Sequence, residues 1–406
     1  MNGERAKRIE RPEHVERSNA RDGIDKPEEY AYHTGLGTAN TVARMPSGVT
    51  IADAEQYYEG YTLFNETYQF PEEAPDGKGK VYLVDMDGEP VHRWEVETAV
   101  QSHTRLLPNG NLLYPTRDRS DLSQAGLREL DPDSNVVWSY HCRIDHDYQV
   151  MDNGHLMCHT ITDNMVPDLG PELKRNPYIV EIDREKNLHW EWFGEDHVDE
   201  IRELLPDDEW AFVEDRIEND YSFDWAHNNT LQLIPENDTY RKELEGDGPV
   251  RFEPGNIVFS YRSVDVIGVI DYPSGEIVWA WGPSELDGQH LPYMLENGNL
   301  LIFDNGTERG WSRVIELDPL SEEIVWEYTG SPKEDFYAPF ISGAQRLPNG
   351  NTLICEGTKA HLFEVTPDGE VVWDFVSPFN EEGSMGNVYR CLRYSPEYVE
   401  PLLESN

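Results

Sequence analysis

Short apolar strands recur along this chain, and each recurrence ends in a tryptophan. The repeated stretch is an alternating strand, a turn rich in Asp, Pro or Gly, and a second alternating strand, as in ELDPDSNVVW and ELDPLSEEIVW. Because side chains alternate between the two faces of a β-strand, the pattern indicates antiparallel hairpins. The tryptophans that close these hairpins are Trp94, Trp138, Trp190, Trp279, Trp326 and Trp373.

A second type of hairpin recurs between the first ones. Its strands are broken by Asn-Gly, as in HTRLLPNGNLLYPT, PYMLENGNLLIFDNG and AQRLPNGNTLICEG. Asn-Gly between alternating apolar residues is a strong hairpin signal, because both residues tolerate positive φ. One unit therefore holds about four strands, and four-stranded units of roughly 45 residues are typical of β-propeller blades.

The units number six, which predicts an all-β, six-bladed β-propeller with four-stranded blades. Complete units lie at about 102–141, 145–193, 289–328 and 341–376, and a longer one at about 222–281 carries insertions. The sixth is split between strands at about 79–95 and a strand at 387–394. Pairing these N- and C-terminal segments in one blade closes the ring and leaves no open sheet edge. An open array or sandwich of the same hairpins is the alternative.

The rest of the chain adds domain and compartment expectations. We expect one propeller domain over 46–406 and a charged N-terminal tail or clasp over 1–45. The opening segment MNGERAKRIERPEHVERSN lacks the apolar core of a secretion signal, and no run of 18 apolar residues exists. We therefore expect a cytoplasmic protein without a membrane partner. The four cysteines show no CxxC spacing, which favours reduced, buried thiols over disulfides: Cys142, Cys158, Cys355 and Cys391.

The net charge of the chain indicates the salt concentration in which the protein works rather than its function. Against 33 basic residues stand 79 acidic ones, giving a net charge of −46. Such a charge strains a compact fold through self-repulsion, but in molar salt the Debye length falls to about 3 Å. The composition therefore indicates a halophilic protein. It argues against nucleic acid as a partner, because binding nucleic acid requires a basic surface.

Candidate chemistry lies where the innermost strands begin. Seven residues before the Asn of each Asn-Gly turn stand Ser102, His146, His290 and Ser342, and the long blade carries His227 at its corresponding strand start. A propeller places these starts around one channel, so three histidines from three blades should converge. A single histidine there is usually a satisfied core residue. A metal site is an alternative, since His is a common ligand. No Cys or carboxylate pairing recurs at this spacing, so we expect no metal and no cofactor.

The motifs around these histidines resemble those of the arylsulfate sulfotransferases. The stretches that carry the resemblance are DWAHNNT from Asp224, SYR from Ser260 followed by VDVIGVID, and GQH from Gly288 followed by PYMLENGNLLIFDNG. GYTLF from Gly60 and DHD from Asp145 fit as well. The resemblance covers about residues 58–395, and the ordered set of His-x-Asn, Arg and Gln-His is its most specific part.

The resemblance implies a six-bladed propeller that moves a sulfuryl group from an aryl sulfate ester to a phenolic acceptor without a nucleotide sulfate donor. It also implies that His290 is the nucleophile and becomes transiently sulfated. His146 and His227 would then be supporting acid–base groups, Asn229 a substrate-binding amide and Arg262 a guanidinium for the sulfuryl oxygens. The partners would be small molecules, and the sequence leaves the oligomeric state undefined.

Two other functions compete with this hypothesis. A non-catalytic propeller would bind a glycan or a protein on one face, and the convergence of His146, His227, His290 and Arg262 argues against it. A quinone-dependent dehydrogenase would require eight blades and a Ca²⁺ site with paired carboxylates, whereas the tryptophan repeats number six.

Overall fold

The chain forms a six-bladed β-propeller, as the repeats predict. A computed structural model describes residues 47–67, 79–97, 99–116, 124–379 and 387–404, and the structural statements below concern these residues. Their strands form six antiparallel sheets, and consecutive strands are neighbours within each sheet except where the ring closes. The expected N-terminal tail, residues 1–45, lies outside the described residues.

The blades are numbered from the one that closes the ring, and their strands are given from the innermost to the outermost. Blade 1 contains β25 (Asn387–Tyr394), β2 (Tyr61–Thr67), β3 (Gly79–Val84) and β4 (Pro90–Val96). Blade 2 contains β5 (Arg105–Leu106), β6 (Leu112–Thr116), β7 (Gly126–Leu130) and β8 (Val136–His141). Blade 3 contains β9 (Ile144–Val150), β10 (Leu156–Met165), β11 (Leu173–Ile182) and β12 (Leu188–Phe193).

The second half of the ring follows the same order. Blade 4 contains β13 (Asn228–Leu233), β14 (Ile257–Tyr261), β15 (Val266–Ile270) and β16 (Ile277–Trp281). Blade 5 contains β17 (His290–Met294), β18 (Leu300–Asp304), β19 (Arg313–Asp318) and β20 (Glu323–Thr329). Blade 6 contains β21 (Gly343–Arg346), β22 (Thr352–Glu356), β23 (His361–Val365) and β24 (Val371–Val376), and its outer edge is extended by β1 (Gly48–Ala52).

The described part of the chain contains four α-helices, which lie between or after the strands. Two of them, α1 (Val198–Leu204) and α2 (Asp207–Asn219), lie between blades 3 and 4, while α3 (Asp238–Glu245) connects β13 to β14 and α4 (Pro396–Glu404) follows β25. Within the described ranges, no helix has the length and apolar character needed to cross a membrane. Short 3-10 turns lie at Pro167–Leu169, Gly194–His197, Arg262–Val264, Lys333–Asp335 and Gly357–Lys359.

The Asn-Gly hairpins adopt the turn that their sequence predicts. In each one the Asn side chain accepts a hydrogen bond from the amide two residues later, as Asn297 does from Asn299 at 3.1 Å. The following Gly takes a left-handed φ of 83° to 91°, a conformation that costs other residues free energy. These four glycines are Gly110, Gly154, Gly298 and Gly350.

Four of the six recurring tryptophans link their blade to the next. In four blades the indole Nε1 donates to a carbonyl in the outer turn of the following blade, at 2.8–3.0 Å. Trp94 is replaced in this role by His92, which bonds to Pro132 O at 3.0 Å, and Trp279 instead packs edge-on against Phe252. The four bonds are Trp138 to Arg184, Trp190 to Pro273, Trp326 to Pro367 and Trp373 to Met86.

A buried ion pair strengthens three of these junctions. At each of these junctions, an Arg of the following blade binds a Glu of the preceding blade that is at most 6% exposed. The guanidinium carbon of the same Arg also lies 4.6–5.2 Å from the centroid of the preceding blade's tryptophan ring. Pairing satisfies the buried carboxylate, which would otherwise carry a large desolvation cost. The three sets are Arg184 with Glu129 and Trp138, Arg346 with Glu316 and Trp326, and Arg393 with Glu364 and Trp373.

The ring closes through its two ends, as the split sixth unit predicts. The C-terminal strand β25 is the innermost strand of blade 1 and pairs with β2, with Tyr394 opposite Tyr61. Strands β3 and β4 complete that sheet. The predicted hairpin at 79–95 therefore shares the blade with β25 but does not touch it directly, because β2 lies between them.

Two details differ from the sequence-based expectation: the number of strands in blade 6 and the burial of Cys142. Blade 6 has five strands rather than four, because Gly48–Ala52 pairs with β24. All four cysteines are free thiols, as predicted, and Cys158, Cys355 and Cys391 are buried. Cys142 is only partly buried, because it lies in the connection between β8 and β9 rather than inside a sheet.

Candidate active site

The three histidines lie at the starts of the inner strands of three consecutive blades. His146 lies in β9, His227 directly precedes β13, and His290 begins β17. Each of these strands pairs irregularly with its neighbour near the histidine. His146 and His227 also adopt left-handed backbone, with φ of 61° and 43°. Such conformations are rare for residues other than Gly and often mark functional sites.

His290 is the most deeply buried of the three, at 2% exposed. Its Nδ1 lies 2.7 Å from Asn305 Oδ1 and 3.2 Å from Gly288 O. Both neighbours are oxygens that accept hydrogen bonds, so Nδ1 carries the proton. The lone pair of the neutral imidazole is then on Nε2. Among the described residues, Nε2 has no hydrogen-bond partner.

The orientation of Asn305 is set by two backbone carbonyls. Its Nδ2 donates to Ala338 O at 2.7 Å and to Ile341 O at 2.9 Å, so its Oδ1 must face His290. Burial lowers the pKa of His290 well below its usual value, and the positive charge of Arg262 lowers it further. His290 is therefore a neutral imidazole at physiological pH.

The other two histidines are each paired with a carboxylate. His146 Nδ1 lies 2.9 Å from Asp145 Oδ2, and His227 Nδ1 lies 2.8 Å from Asp224 Oδ2. The two imidazoles meet edge to face, with their centroids 4.7 Å apart. A carboxylate on Nδ1 orients the imidazole and stabilises its protonated form. The site thus contains two Asp–His pairs beside one Asn–His pair.

The carboxylate of Asp224 remains ionised in this setting. Burial would raise its pKa, but the neighbouring His227 outweighs that effect, so the pKa of Asp224 is lowered. The ionised Asp224 therefore accepts a hydrogen bond from His227 Nδ1 and orients that imidazole.

Arg262 lies in the 3-10 turn that follows β14, where its backbone amide approaches His227 O at 3.4 Å. The guanidinium makes one long hydrogen bond, from Nη2 to Pro339 O at 3.4 Å. Within the described part of the chain it has no carboxylate within salt-bridge distance. A half-buried guanidinium with so little internal bonding can bind the oxygens of an anionic substrate.

The helical insertion holds the turn that carries Arg262. Arg216 of α2 donates from Nε to Ser263 O at 3.1 Å, and its guanidinium lies 3.7 Å from Asp265. Asp265 Oδ1 in turn accepts from Gly288 N at 2.7 Å, two residues before His290. The insertion therefore connects the Arg262 turn to the His290 strand.

Asn229 lies beside the histidines but is fully buried. Its Nδ2 donates to Gln289 O at 2.8 Å, and its Oδ1 accepts from Thr230 Oγ1 at 3.0 Å. The amide is therefore engaged with the backbone that leads into His290. This arrangement suits the positioning of His290 more than direct contact with a substrate.

A buried ion pair near the histidines was not predicted from the sequence. Arg390 of β25 bonds from Nη1 to Asp147 Oδ2 at 3.1 Å and from Nη2 to Asn229 O at 2.7 Å. Its charge also contributes to the lowered pKa of His290. Spacing could not identify Arg390, because no Asn-Gly turn follows β25, just as none follows β13.

One group of side chains has the composition of a metal site. Ligand atoms of Asp145, His146 and His159 lie within 4.8 Å of one another. The Nδ1 atoms of both histidines already face Asp145: His146 Nδ1 lies 2.9 Å from its carboxylate, and His159 Nδ1 lies 2.6 Å from its backbone carbonyl. These close contacts account for the cluster, and we assign no ion to it.

Comparison with known proteins gives a family match and a fold match. Residues 124–378 match the arylsulfotransferase (ASST) family. The arylsulfate sulfotransferase AssT of Escherichia coli O6:H1 is 33% identical over 91 residues, which cover 19% of this chain and 15% of that protein. The matched region thus spans a small part of that relative's length.

Solved structures similar to this chain have low sequence identity to it. A protein of unknown function from Bacteroides caccae is 14% identical, with a TM-score of 0.50, over 82% of this chain and 98% of its own. A virginiamycin B lyase from Staphylococcus aureus is 10% identical, with a TM-score of 0.43, over 83% of this chain and 90% of its own.

Proposed function

The chain belongs to the arylsulfotransferase family, and we propose that it transfers a sulfuryl group from an aryl sulfate ester to a phenol through a sulfohistidine at His290. The observation that carries this proposal is the tautomer of His290. Asn305 and Gly288 O hold the proton on Nδ1, which leaves the lone pair on Nε2. A buried, neutral imidazole with an unbonded nitrogen is a competent nucleophile near pH 7.

In the first half-reaction, Nε2 of His290 attacks the sulfur of the aryl sulfate. An N–S bond forms as the ester S–O bond breaks, and the phenolate leaves with its electron pair. The phenolate takes a proton from His146 or His227, whose carboxylate partners Asp145 and Asp224 stabilise the imidazolium before the transfer.

In the second half-reaction, the acceptor phenol enters the position that the first phenol has left. The now neutral imidazole of His146 or His227 takes the phenol's proton as the phenolic oxygen attacks sulfur. The N–S bond breaks and its electron pair returns to Nε2 of His290. The enzyme regains its starting protonation, and the aryl sulfate itself supplies the sulfuryl group without a nucleotide donor.

Fixed positive charge supports both steps. The transferring sulfuryl group spreads negative charge over its nonbridging oxygens, so catalysis depends on positioned donors and cations. Arg262 offers a planar fork for two of these oxygens. Asn229 acts in this proposal by holding the Gln289 carbonyl, and with it the start of the His290 strand, in place.

The proposal is tested by mass spectrometry of the intact protein after brief exposure to 4-nitrophenyl sulfate without acceptor. We expect the mass to rise by one sulfuryl group, and peptide mapping to place that group on His290. Adding a phenol should remove it. The nucleotide sulfate donor should give no labelled protein.

Two variants separate the roles of the histidines. His290→Asn should give no labelled protein, whereas His146→Asn should still be labelled, though more slowly. Labelling of another histidine would show that this residue, and not His290, is the nucleophile. Absence of labelling and turnover with every aryl sulfate would favour the alternative, a propeller that binds a glycan or protein.

A further inference from the structure

An arm of blade 3 rises on the face of the ring that holds the histidines. Strand β9 begins at Ile144, which is opposite Thr160 of β10. The pairing of β10 with β11 continues past that level to Met165 opposite Leu173. Residues 161–165 and 173–177, here called the arm, therefore extend beyond the inner strand at the end where His146 lies.

Three consecutive residues of the arm fix the segment that leads into the Asp224–His227 pair. Lys174 Nζ donates to Ser222 O at 2.5 Å, and Arg175 N donates to Phe223 O at 2.7 Å. Asn176 Oδ1 accepts from the indole of Trp225 at 2.9 Å. The arm therefore holds the backbone of Phe223 and the residues before and after it in the chain.

Phe223 is exposed in spite of this support. It is 40% exposed, whereas Trp225, held by the same arm, is 1% exposed. The guanidinium of Arg175 lies 4.8 Å from the centroid of the Phe223 ring. The same guanidinium lies 4.0 Å from Asp224 Oδ2, so one cation connects the exposed ring to the carboxylate that orients His227.

Phe223 lies four residues before His227 in the chain and is much more exposed than the nucleophile. His290 is 2% exposed, the side chain of His227 is 29% exposed, and Phe223 follows at 40%. An exposed aromatic side chain on a fixed backbone loses less entropy when a ligand stacks on it than one on a mobile segment does. The Arg175 guanidinium also lies 3.7 Å from Asp163, so two carboxylates hold this cation beside the ring, where it favours stacking of a ligand's aromatic ring.

We propose that Phe223 and Arg175 form an outer subsite that binds the aromatic ring of the aryl sulfate donor or of the phenolic acceptor. This inference rests on the proposed function for the identity of the ligand. Phe223 does not touch the reacting atoms, so it determines which rings bind and how tightly. His290 and Arg262 determine the rate of transfer.

The test compares Phe223→Ala with Leu173→Ala, a control at the arm tip whose side chain is also exposed. The binding of 4-nitrophenol is measured by titration calorimetry in molar KCl, and KM is measured separately for 4-nitrophenyl sulfate and for the phenol. We expect Phe223→Ala to weaken ring binding about three- to tenfold, the range of an aromatic stacking contact. The control should match the parent, and Phe223→Trp should retain binding.

The two kinetic arms identify the ring that binds. A rise in KM for the ester alone assigns the subsite to the donor, and a rise for the phenol alone assigns it to the acceptor. Hexyl sulfate, which has no ring, should bind parent and variant equally. Equal affinity of parent and Phe223→Ala for 4-nitrophenol and the ester would overturn the subsite. If Phe223→Ala binds 4-nitrophenol more weakly than the parent but the parent never forms sulfohistidine, the subsite stands and the proposed function is rejected.

Discussion

At the scale of single residues, the site differentiates three histidines by what each Nδ1 contacts. A neutral amide, Asn305, holds His290, while carboxylates hold His146 and His227. A carboxylate stabilises the imidazolium, which cannot act as a nucleophile but can give up a proton. An amide fixes the tautomer without adding charge, so the imidazole stays neutral and nucleophilic.

The first prediction concerns the nucleophile. His290→Asn keeps polarity and approximate size but removes Nε2, so turnover should fall by at least about three orders of magnitude. Thermal unfolding should change little. Arg262→Lys should reduce turnover less, because a point charge cannot reproduce a bidentate fork. Steady-state rates with 4-nitrophenyl sulfate and a phenol check both, and near-parental turnover in His290→Asn would show that another group is the nucleophile.

The second prediction concerns the acid. Asp224→Asn keeps a hydrogen bond to His227 Nδ1 but removes the charge that stabilises the imidazolium. Turnover of phenyl sulfate, whose leaving group needs a proton, should fall by about two orders of magnitude. Turnover of 4-nitrophenyl sulfate should fall much less. The rates are compared across a series of leaving-group pKa values. Equal losses for both esters would mean that Asp224 supports the fold rather than proton transfer.

Sequence spacing located His146 and His290 because both precede an Asn-Gly turn by the same interval. It could not identify Asn305, which lies 15 residues beyond His290 and meets it only because β17 and β18 pair. Nor could it show that the Asn229 amide is turned toward a backbone carbonyl. These contacts depend on the pairing of strands, which no local pattern records.

At the scale of elements, a histidine clamp holds the extra strand of blade 6. His361 bonds through Nδ1 to Glu356 and through Nε2 to Asp374, each at 2.8 Å, and Thr50 of β1 also bonds to Asp374. Burial would lower the pKa of His361, but the two carboxylates raise it to about 9. The strand GVTIA itself was not predicted from sequence, because it is short and mostly exposed.

The third prediction follows from this clamp. The folded pKa of His361 is raised above its unfolded value, so its contribution is fully present below about pH 6.5. It is lost as the pH rises through about 9. We expect a loss on the order of 2–3 kcal/mol of unfolding free energy across that window. Denaturant melts of the parent and His361→Gln should converge at high pH. The exposed histidine variant His189→Gln is the control, and parallel pH profiles for parent and His361→Gln would contradict the clamp.

At the scale of the whole molecule, the ring depends on its last strand. β25 supplies the innermost strand of blade 1 and carries Arg390 into the site, so closure of the fold and assembly of the site coincide. The repeats predicted this closure because each end of the chain contains the half-unit that the other lacks.

The fourth prediction tests the closure. Deleting residues 385–406 removes β25 and α4 and exposes the edge of β2, so the protein should unfold or aggregate. Thermal unfolding and light scattering measure this. Deleting only residues 396–406 removes α4 but keeps β25, and should leave the protein folded. A 385–406 deletion with the parent's melting temperature would show that the ring does not need this strand.

The fifth prediction concerns the surface charge. With a net charge of −46, the melting temperature should rise steeply as KCl or NaCl is raised from low to molar concentration. Equal effects of the two salts would identify screening as the cause. A melting temperature that stays flat over this range would mean that repulsion between surface carboxylates does not limit stability.

The contacts between blades also decide what a shortened ring would do. The four tryptophan-to-turn bonds and the three Arg–Glu pairs at the blade junctions all join the same side of one blade to the opposite side of the next. Such an interface joins unlike surfaces, so a series of blades has two different ends until it closes. A molecule that lost one blade would expose an indole donor at one end and a matching carbonyl at the other. Copies of it would fit end to end, and loss of a repeat would convert a closed ring into the unit of a growing filament.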